Sequence, residues 1–153
     1  MAEKIILMAD DDLDDTELFC EALDSVGDGI TCHCAANGIE LLNMLHELEE
    51  KPQLIFLDLN MPVMNGWECL KLLKEDKNHR HIPVIVISTS SHKKEMDMAL
   101  ALGALCYFVK PGNFKELTQV LKKITENLGA GIKEAILDLH KHGAKHIVIC
   151  GDE

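Results

Sequence analysis

The chain has no apolar run approaching the roughly 20 residues that a membrane-crossing helix needs, although 47% of its 153 residues are hydrophobic. Its N-terminus lacks the charged, apolar and small-residue layout of a signal peptide. Basic residues are scarce: 15 Lys and Arg stand against 26 Asp and Glu, a formal net charge of −11. That balance opposes nucleic-acid binding, which is driven by Lys and Arg displacing counterions from phosphates. The six cysteines (Cys20, Cys32, Cys34, Cys69, Cys106, Cys150) show no spaced pairs of zinc-finger form. They lie mostly in apolar segments and read as reduced core thiols. Low-complexity tracts, a convincing internal repeat and a linker long enough to separate domains are also missing. The expectation is a soluble, cytoplasmic protein, and a domain of this length buries roughly 70% of the surface its unfolded chain exposes.

What is present is a regular alternation of two patterns. Lys4 to Ala9 is a short, almost wholly apolar run that stops against carboxylates, as a strand buried on both faces of a parallel sheet does. Leu18, Ala22 and Val26, with Phe19 and Leu23 beside them, then make one apolar helical stripe over Leu13 to Val26. The same reading predicts strands at Ile30 to Ala35, Gln53 to Leu57, Ile82 to Ser88 and Leu105 to Val109. Between and after them it predicts helices at Gly38 to Glu50, Asn65 to Lys77, Ser91 to Leu102 and Asn113 to Leu128, with Asn37 as an N-cap. Five strands alternating with five helices imply a parallel sheet covered on both faces, because each crossover needs a helix and must be right-handed. The last stretch does not fit that count. After the breaker Gly129-Ala130-Gly131, Ile132, Ala135, Ile136 and Leu139 recur at helical spacing, Gly143 reads as a helix stop and His146 to Cys150 as a strand.

In an open α/β sheet, ligands bind beyond the carboxyl ends of the strands. The residues there are chemically coherent. Strand one ends in Asp10-Asp11-Asp12, strand three in Asp58-Leu59-Asn60, strand four in Ser88-Thr89 and strand five in Lys110-Pro111. Carboxylates gathered in this way repel one another unless a cation lies among them, and a hard divalent ion such as Mg²⁺ prefers oxygen ligands. A carboxylate beside such an ion can attack phosphorus to form an acyl phosphate. A lysine and a serine nearby then offer a positive charge and a hydroxyl donor to the phosphoryl oxygens.

The set DD after strand one, D-x-N-M-P-x-M-x-G after strand three, S-T after strand four and K-P after strand five resembles the receiver domain of response regulators, including the single-domain chemotaxis regulator. The resemblance covers about residues 4 to 128. It implies a flavodoxin-like, doubly wound sheet in the order 2-1-3-4-5, with residues 1–128 as the receiver domain; the resemblance leaves out 129–153, which the residue pattern alone gives as a helix-strand extension packed on that domain or exchanged with a second copy. It also implies roles for residues. Asp58 is the phosphoacceptor; Asp11 binds Mg²⁺ or Mn²⁺ directly, Asp10 partly through water, and the Asn60 backbone carbonyl adds a third protein ligand. Ser88 is the switch hydroxyl, standing where threonine is more usual, Lys110 the charge partner, and Tyr107 the ring that turns inward when the hydroxyl moves. The Lys110-Pro111 bond is expected to be cis, and Asp12 adds a third acid to the usual pair. Partners implied are a sensor histidine kinase or phosphotransfer protein and a downstream protein target, with homodimerisation through the extension an option.

Other readings are weaker. Asp14, Asp15 and Glu17 fall in the first turn of helix one, where they are expected to face the helix dipole rather than extend the metal site. Cys32-His33-Cys34 places two thiols on one strand face and the imidazole on the other, which favours packing over metal binding. His140, His142 and His146 read as solvated, since Gly143 interrupts their helix. Asp138 to Gly143 matches the Asp-x-His-x-x-Gly signature of cobalamin-binding domains, but inside a helix instead of the loop where that signature belongs. A haloacid-dehalogenase-like phosphatase would need a second aspartate where Asn60 stands. A flavodoxin-like nucleotide binder would need a glycine-rich or hydroxyl-rich loop after strand one, where acids stand instead. The protein is therefore expected to be a phosphoacceptor, not a turnover enzyme. The alternative is a grafted or truncated flavodoxin-like chain that keeps the receiver site without using it for signalling.

Overall fold

The computed structural model describes residues 4–27, 29–129, 131–144 and 147–150. The strands are β1 (Lys4–Ala9), β2 (Ile30–Ala35), β3 (Leu54–Asp58), β4 (Val84–Ser88), β5 (Cys106–Val109) and β6 (Val148–Ile149). The helices are α1 (Leu13–Val26), α2 (Gly38–Glu47), α3 (Gly66–Glu75), α4 (Lys93–Ala101), α5 (Phe114–Thr125) and α6 (Ile132–Asp138), the last continuing in a π-helical turn over Leu139–Gly143. The sheet order is β2-β1-β3-β4-β5-β6. The first five strands are parallel, in the predicted order.

The period-two geometry of strands sorts the core into two layers. Ile6, Met8, Phe56 and Phe108 face α1, α5 and α6, meeting Phe19, Leu23, Leu117, Leu121 and Ile136. Their neighbours Ile5, Leu7, Ile55, Leu57 and Tyr107 face α2, α3 and α4, meeting Leu41, Leu45, Leu70 and Ala99. Three helices begin on an asparagine cap: the side-chain oxygens of Asn37, Asn65 and Asn113 accept the N–H groups of Glu40, Glu68 and Glu116. α4 has no side-chain cap, its cap position being His92.

Several ends differ from the predicted ones for local reasons. α3 stops at Glu75 because the carboxylate of Asp76 accepts the Asn78 N–H at 2.8 Å and starts a competing turn. β4 starts at Val84, after Pro83, which cannot donate to a ladder. α4 starts two residues later than expected, since Ser90 Oγ accepts the His92 N–H at 3.2 Å and holds the preceding segment as a loop.

The extension lies against the same sheet. Gly129 and Gly131 take φ of 85° and 81°, a region open to glycine, and turn the chain from α5 into α6. α5 runs back along the sheet and α6 runs forward again, so the strand that follows must run opposite to β5. β6 is accordingly antiparallel, pairing Val148 with Phe108 and Ile149 with Tyr107. His140 Nδ1 lies 2.8 Å from the Val148 carbonyl oxygen, tying the π turn to β6 instead of standing solvated. His146, which the sequence places in that strand, is outside the described residues.

Ile136 is 1% exposed and Leu137, its neighbour on α6, is 38% exposed. Ile136→Ala is therefore expected to cost about 2–5 kcal/mol in urea unfolding, and Leu137→Ala under about 0.5 kcal/mol. Equal costs would show that α6 does not contribute its apolar face to this core.

Candidate functional site

The carboxyl ends of β1, β3, β4 and β5 place the predicted residues together. Asp10 follows β1 directly: its N–H donates to the Ala35 carbonyl at 3.0 Å, continuing the β1–β2 ladder, and it is 3% exposed. Its Oδ1 accepts the Asp12 N–H at 3.0 Å, leaving Oδ2 turned toward Lys110. Asp12, by contrast, is the N-cap of α1 and accepts the Asp14 and Asp15 N–H groups. The triple-acid run thus divides by geometry, one carboxylate capping the helix and two remaining at the strand tips.

Carboxylate oxygens of Asp10, Asp11 and Asp58 lie within 4.8 Å of one another, Asp11 being exposed and the other two buried. Burial, and then the negative charge of Asp10, push Asp58 up to about 7, against the opposing pull of Lys110 and a backbone hydrogen bond from Asn60. The loop after β3 is closed by the Gly66 N–H donating to the Leu59 carbonyl at 2.9 Å. A Cβ at Gly66 would overlap the Asp58 carbonyl oxygen and lie 2.7 Å from Leu59 Cα. Glycine at the end of the D-x-N-M-P-x-M-x-G run thus lets α3 start directly against the strand that carries Asp58.

Lys110 Nζ donates to Asp10 Oδ2 and to Asp15 Oδ2, both at 2.8 Å. It is a bridge between two acids, not a direct partner of Asp58. Burial works against its charge, but the hydrogen bonds to Asp10 and Asp15 and the nearby negative charge of Asp58 hold its pKa above the usual lysine value. Asp15, expected only to face the helix dipole, is captured by this lysine. That contact had one available signal, an acid in the first helical turn after a strand tip, which returns its side chain toward the sheet end. The Lys110–Pro111 peptide is trans, because no cis bond occurs among the described residues; the cis expectation is corrected, and trans is the ordinary lower-energy form of X–Pro.

Ser88 ends β4 at 1% exposure, and its Oγ accepts the Ser90 N–H at 3.0 Å. Tyr107 lies fully buried with its ring inward, and its hydroxyl donates to the Ser90 carbonyl at 2.9 Å, with Glu95 Oε2 at 3.4 Å. Burial raises the pKa of this phenol. Ser90 therefore joins the two residues singled out as a switch, holding Ser88 by its N–H and Tyr107 by its C=O. Neither Ser90 nor Glu95 stands out in the sequence, where both look like ordinary loop and helix polar residues.

Known proteins resemble this chain in sequence and in fold. The response regulator receiver domain model matches residues 6–122. The response regulator Rcp1 of Synechocystis is 29% identical over 126 residues, covering 79% of this chain and 86% of Rcp1. Chemotaxis protein CheV2 of Helicobacter pylori is 34% identical over 126 residues, and the chain spans only 39% of that longer protein. Among solved structures, the phosphorylated cyanobacterial phytochrome response regulator RcpA superposes with a TM-score of 0.76 at 32% identity, covering 83% of this chain and 94% of RcpA. A parallel sheet in the order 2-1-3-4-5, acids at two strand tips and these matches lead to one assignment: the chain belongs to the response regulator receiver domain family of two-component signalling.

Proposed function

We propose that the protein accepts a phosphoryl group on Asp58 in a step assisted by a divalent cation, and that phosphorylation alters the surface formed by α4, β5 and α5. The observation that carries this reading is the convergence of three carboxylates at the strand tips, with Asp58 the one pushed up to about 7 by burial and by its negative neighbour Asp10. Such a donor set fits a hard ion: all three side chains offer oxygen, and their repulsion is relieved by positive charge. Asp10, Asp11, Asp58 and the Asn60 backbone carbonyl are the groups proposed to hold Mg²⁺ or Mn²⁺. When bound, the ion neutralises the carboxylates and the oxygens of an incoming phosphoryl group. An Mn²⁺-bound form of Rcp1 is among the structures similar to this one.

The chain's own residues supply the rest. A carboxylate oxygen of Asp58 forms the new bond to phosphorus while the bond to the donor's leaving group breaks, its electron pair going with that group. Lys110, held beside the pocket by Asp10 and Asp15, provides a fixed ammonium toward which a phosphoryl oxygen can turn. Ser88 Oγ accepts the Ser90 N–H and its side chain also hydrogen-bonds Tyr107, so turning its O–H to a phosphoryl oxygen exchanges these contacts for the new one. Movement of Ser88 toward that oxygen breaks its contact with Ser90, and Ser90 is also the anchor of Tyr107. The change therefore reaches β5 and the start of α4, which has no side-chain cap. Transfer of this kind is stoichiometric, with intrinsic self-phosphorylation and dephosphorylation and no free substrate turned over. The proposed partners are a histidine kinase or phosphotransfer protein upstream and a protein target downstream. No described helix is long and apolar enough to cross a membrane.

Incubation with a radiolabelled acyl-phosphate donor and Mg²⁺ is expected to label the wild-type protein, and Asp58→Asn is expected to abolish the label. Retained label in the variant would remove Asp58 from the role. The raised pKa also sets a pH dependence with a defined sign. Asp58 binds its proton more tightly when folded, with a pKa near 7 against an ordinary value of 3.8. Its contribution to stability is thus full below the unfolded pKa and lost as pH rises through about 7. In metal-free urea unfolding, Asp58→Asn should gain on wild type by about 1–3 kcal/mol between pH 5 and pH 8. Adding Mg²⁺ should narrow that gap at pH 8; a gap that ignores both pH and Mg²⁺ would contradict the proposed repulsion.

A further inference from the structure

A second group of candidate ligands lies at the edge of the sheet, built of sulfur where the strand-tip pocket is built of oxygen. β2 is an edge strand, and its alternation places Cys32 and Cys34 on one face while the intervening His33 is exposed. Cys20 comes onto the same face from α1. The Cys20 and Cys34 sulfurs are 3.3 Å apart, those of Cys32 and Cys34 are 4.0 Å apart, and all three lie within 4.8 Å of one another. Packing contacts place apolar atoms about 3.5–4.0 Å apart, so the shorter sulfur pair is a polar contact and not simple filling of space.

Burial separates these thiols from core cysteines. Cys69 and Cys106 are wholly buried among apolar side chains, as structural cysteines usually are, whereas Cys20, Cys32 and Cys34 are each only part-buried. The cluster therefore combines convergence with access from solvent. Hydrogen bonding from Cys32, with a smaller contribution from Cys20, draws the Cys34 thiol down to about 6 against the effect of burial. Burial and the neighbouring Cys34 hold Cys20 up, near 11.

A disulfide accounts for this arrangement less well than a shared ion. Residues i and i+2 of an extended strand are separated by about 6.6 Å of rise, too far for the Cβ spacing of about 3.5–4.5 Å that a disulfide needs. A Cys20–Cys34 bond would leave Cys32 without a role. An ion uses all three sulfurs. Zinc sites usually take four ligands, and no fourth His, Cys, Asp or Glu joins this group among the described residues. Soft thiolate sets select Cu(I), Zn or Fe–S clusters, and three sulfurs with no fourth ligand among the described residues suit the low coordination number of Cu(I) better than the four-coordinate zinc site.

We propose that Cys20, Cys32 and Cys34 form a three-thiolate site for a soft cation of the Cu(I) class, distinct from the oxygen-lined pocket at the strand tips. Binding replaces thiol protons, which pass to solvent, and involves no change of oxidation state.

The test is an anaerobic titration of the reduced, metal-free full chain with Cu(I) against a chromophoric Cu(I) chelator. One equivalent is expected to bind. Cys20→Ser, Cys32→Ser and Cys34→Ser should each weaken binding by at least about 10-fold to 100-fold, while Cys150→Ser, on the tail, should bind as wild type. Circular dichroism checks that each variant is folded. Alkylation of the wild-type protein provides a readout that needs no variant: Cu(I) should protect Cys20, Cys32 and Cys34 from iodoacetamide, as mapped by peptide mass. Excess Zn²⁺ should not displace the copper. Failure to bind, unchanged binding in the folded Cys20→Ser and Cys34→Ser variants, absence of protection, or displacement by zinc would each overturn the assignment.

Discussion

Lys110 Nζ lies 2.8 Å from Asp10, a residue 100 positions earlier in the chain, and at the same distance from Asp15. That three-membered ion pair is the constraint on which the rest of the pocket depends. Asp10 is almost wholly buried, and a buried carboxylate without a partner costs several kcal/mol. The lysine supplies that partner, and the negative charge of Asp10 in turn helps push Asp58 upward. Folding therefore leaves a pocket charged unevenly, with its cation already committed to one side. The sheet makes the bridge possible: β1 and β5 are separated by β3 and β4, and only an almost continuous apolar interior brings their tips to one level.

On the other side of the pocket the linkage is neutral and shorter. Ser88, Ser90 and Tyr107 are joined through the two backbone groups of Ser90, so loss of one contact alters the setting of the other. The asparagine-capped helices α2, α3 and α5 are fastened at their first turns, whereas α4 is not. The element adjoining this linkage thus starts without a side-chain cap, as α6 also does. A helix start without a side-chain cap rearranges at lower cost than a capped one.

The sheet was legible because its strands are buried on both faces and therefore appear as apolar runs, and because parallel crossovers permit few topologies. The residues at the strand tips were legible for the same reason: position after a strand determines where such a residue emerges. Contacts that depend on how a helix is rotated were not. Asp15 and Cys20 both lie on α1, and nothing in their spacing reveals that one turns to Lys110 and the other to β2. The early stop of α3 depends on the side chain of Asp76 competing for backbone donors, an effect too local for hydrophobic periodicity to register. The direction of β6 could have been inferred from counting helices, since two in succession reverse the chain once more.

That short antiparallel strand has a consequence for how other molecules can approach. Hydrogen bonding by β6 occupies the backbone groups along the outer side of Phe108 and Tyr107, so a visiting polypeptide cannot lengthen the sheet by docking there. Among the described residues its own far rim is the two-residue stretch Val148–Ile149, a short template for pairing with another strand. Recognition on this flank must accordingly rely on side chains, or else begin by displacing the appendage.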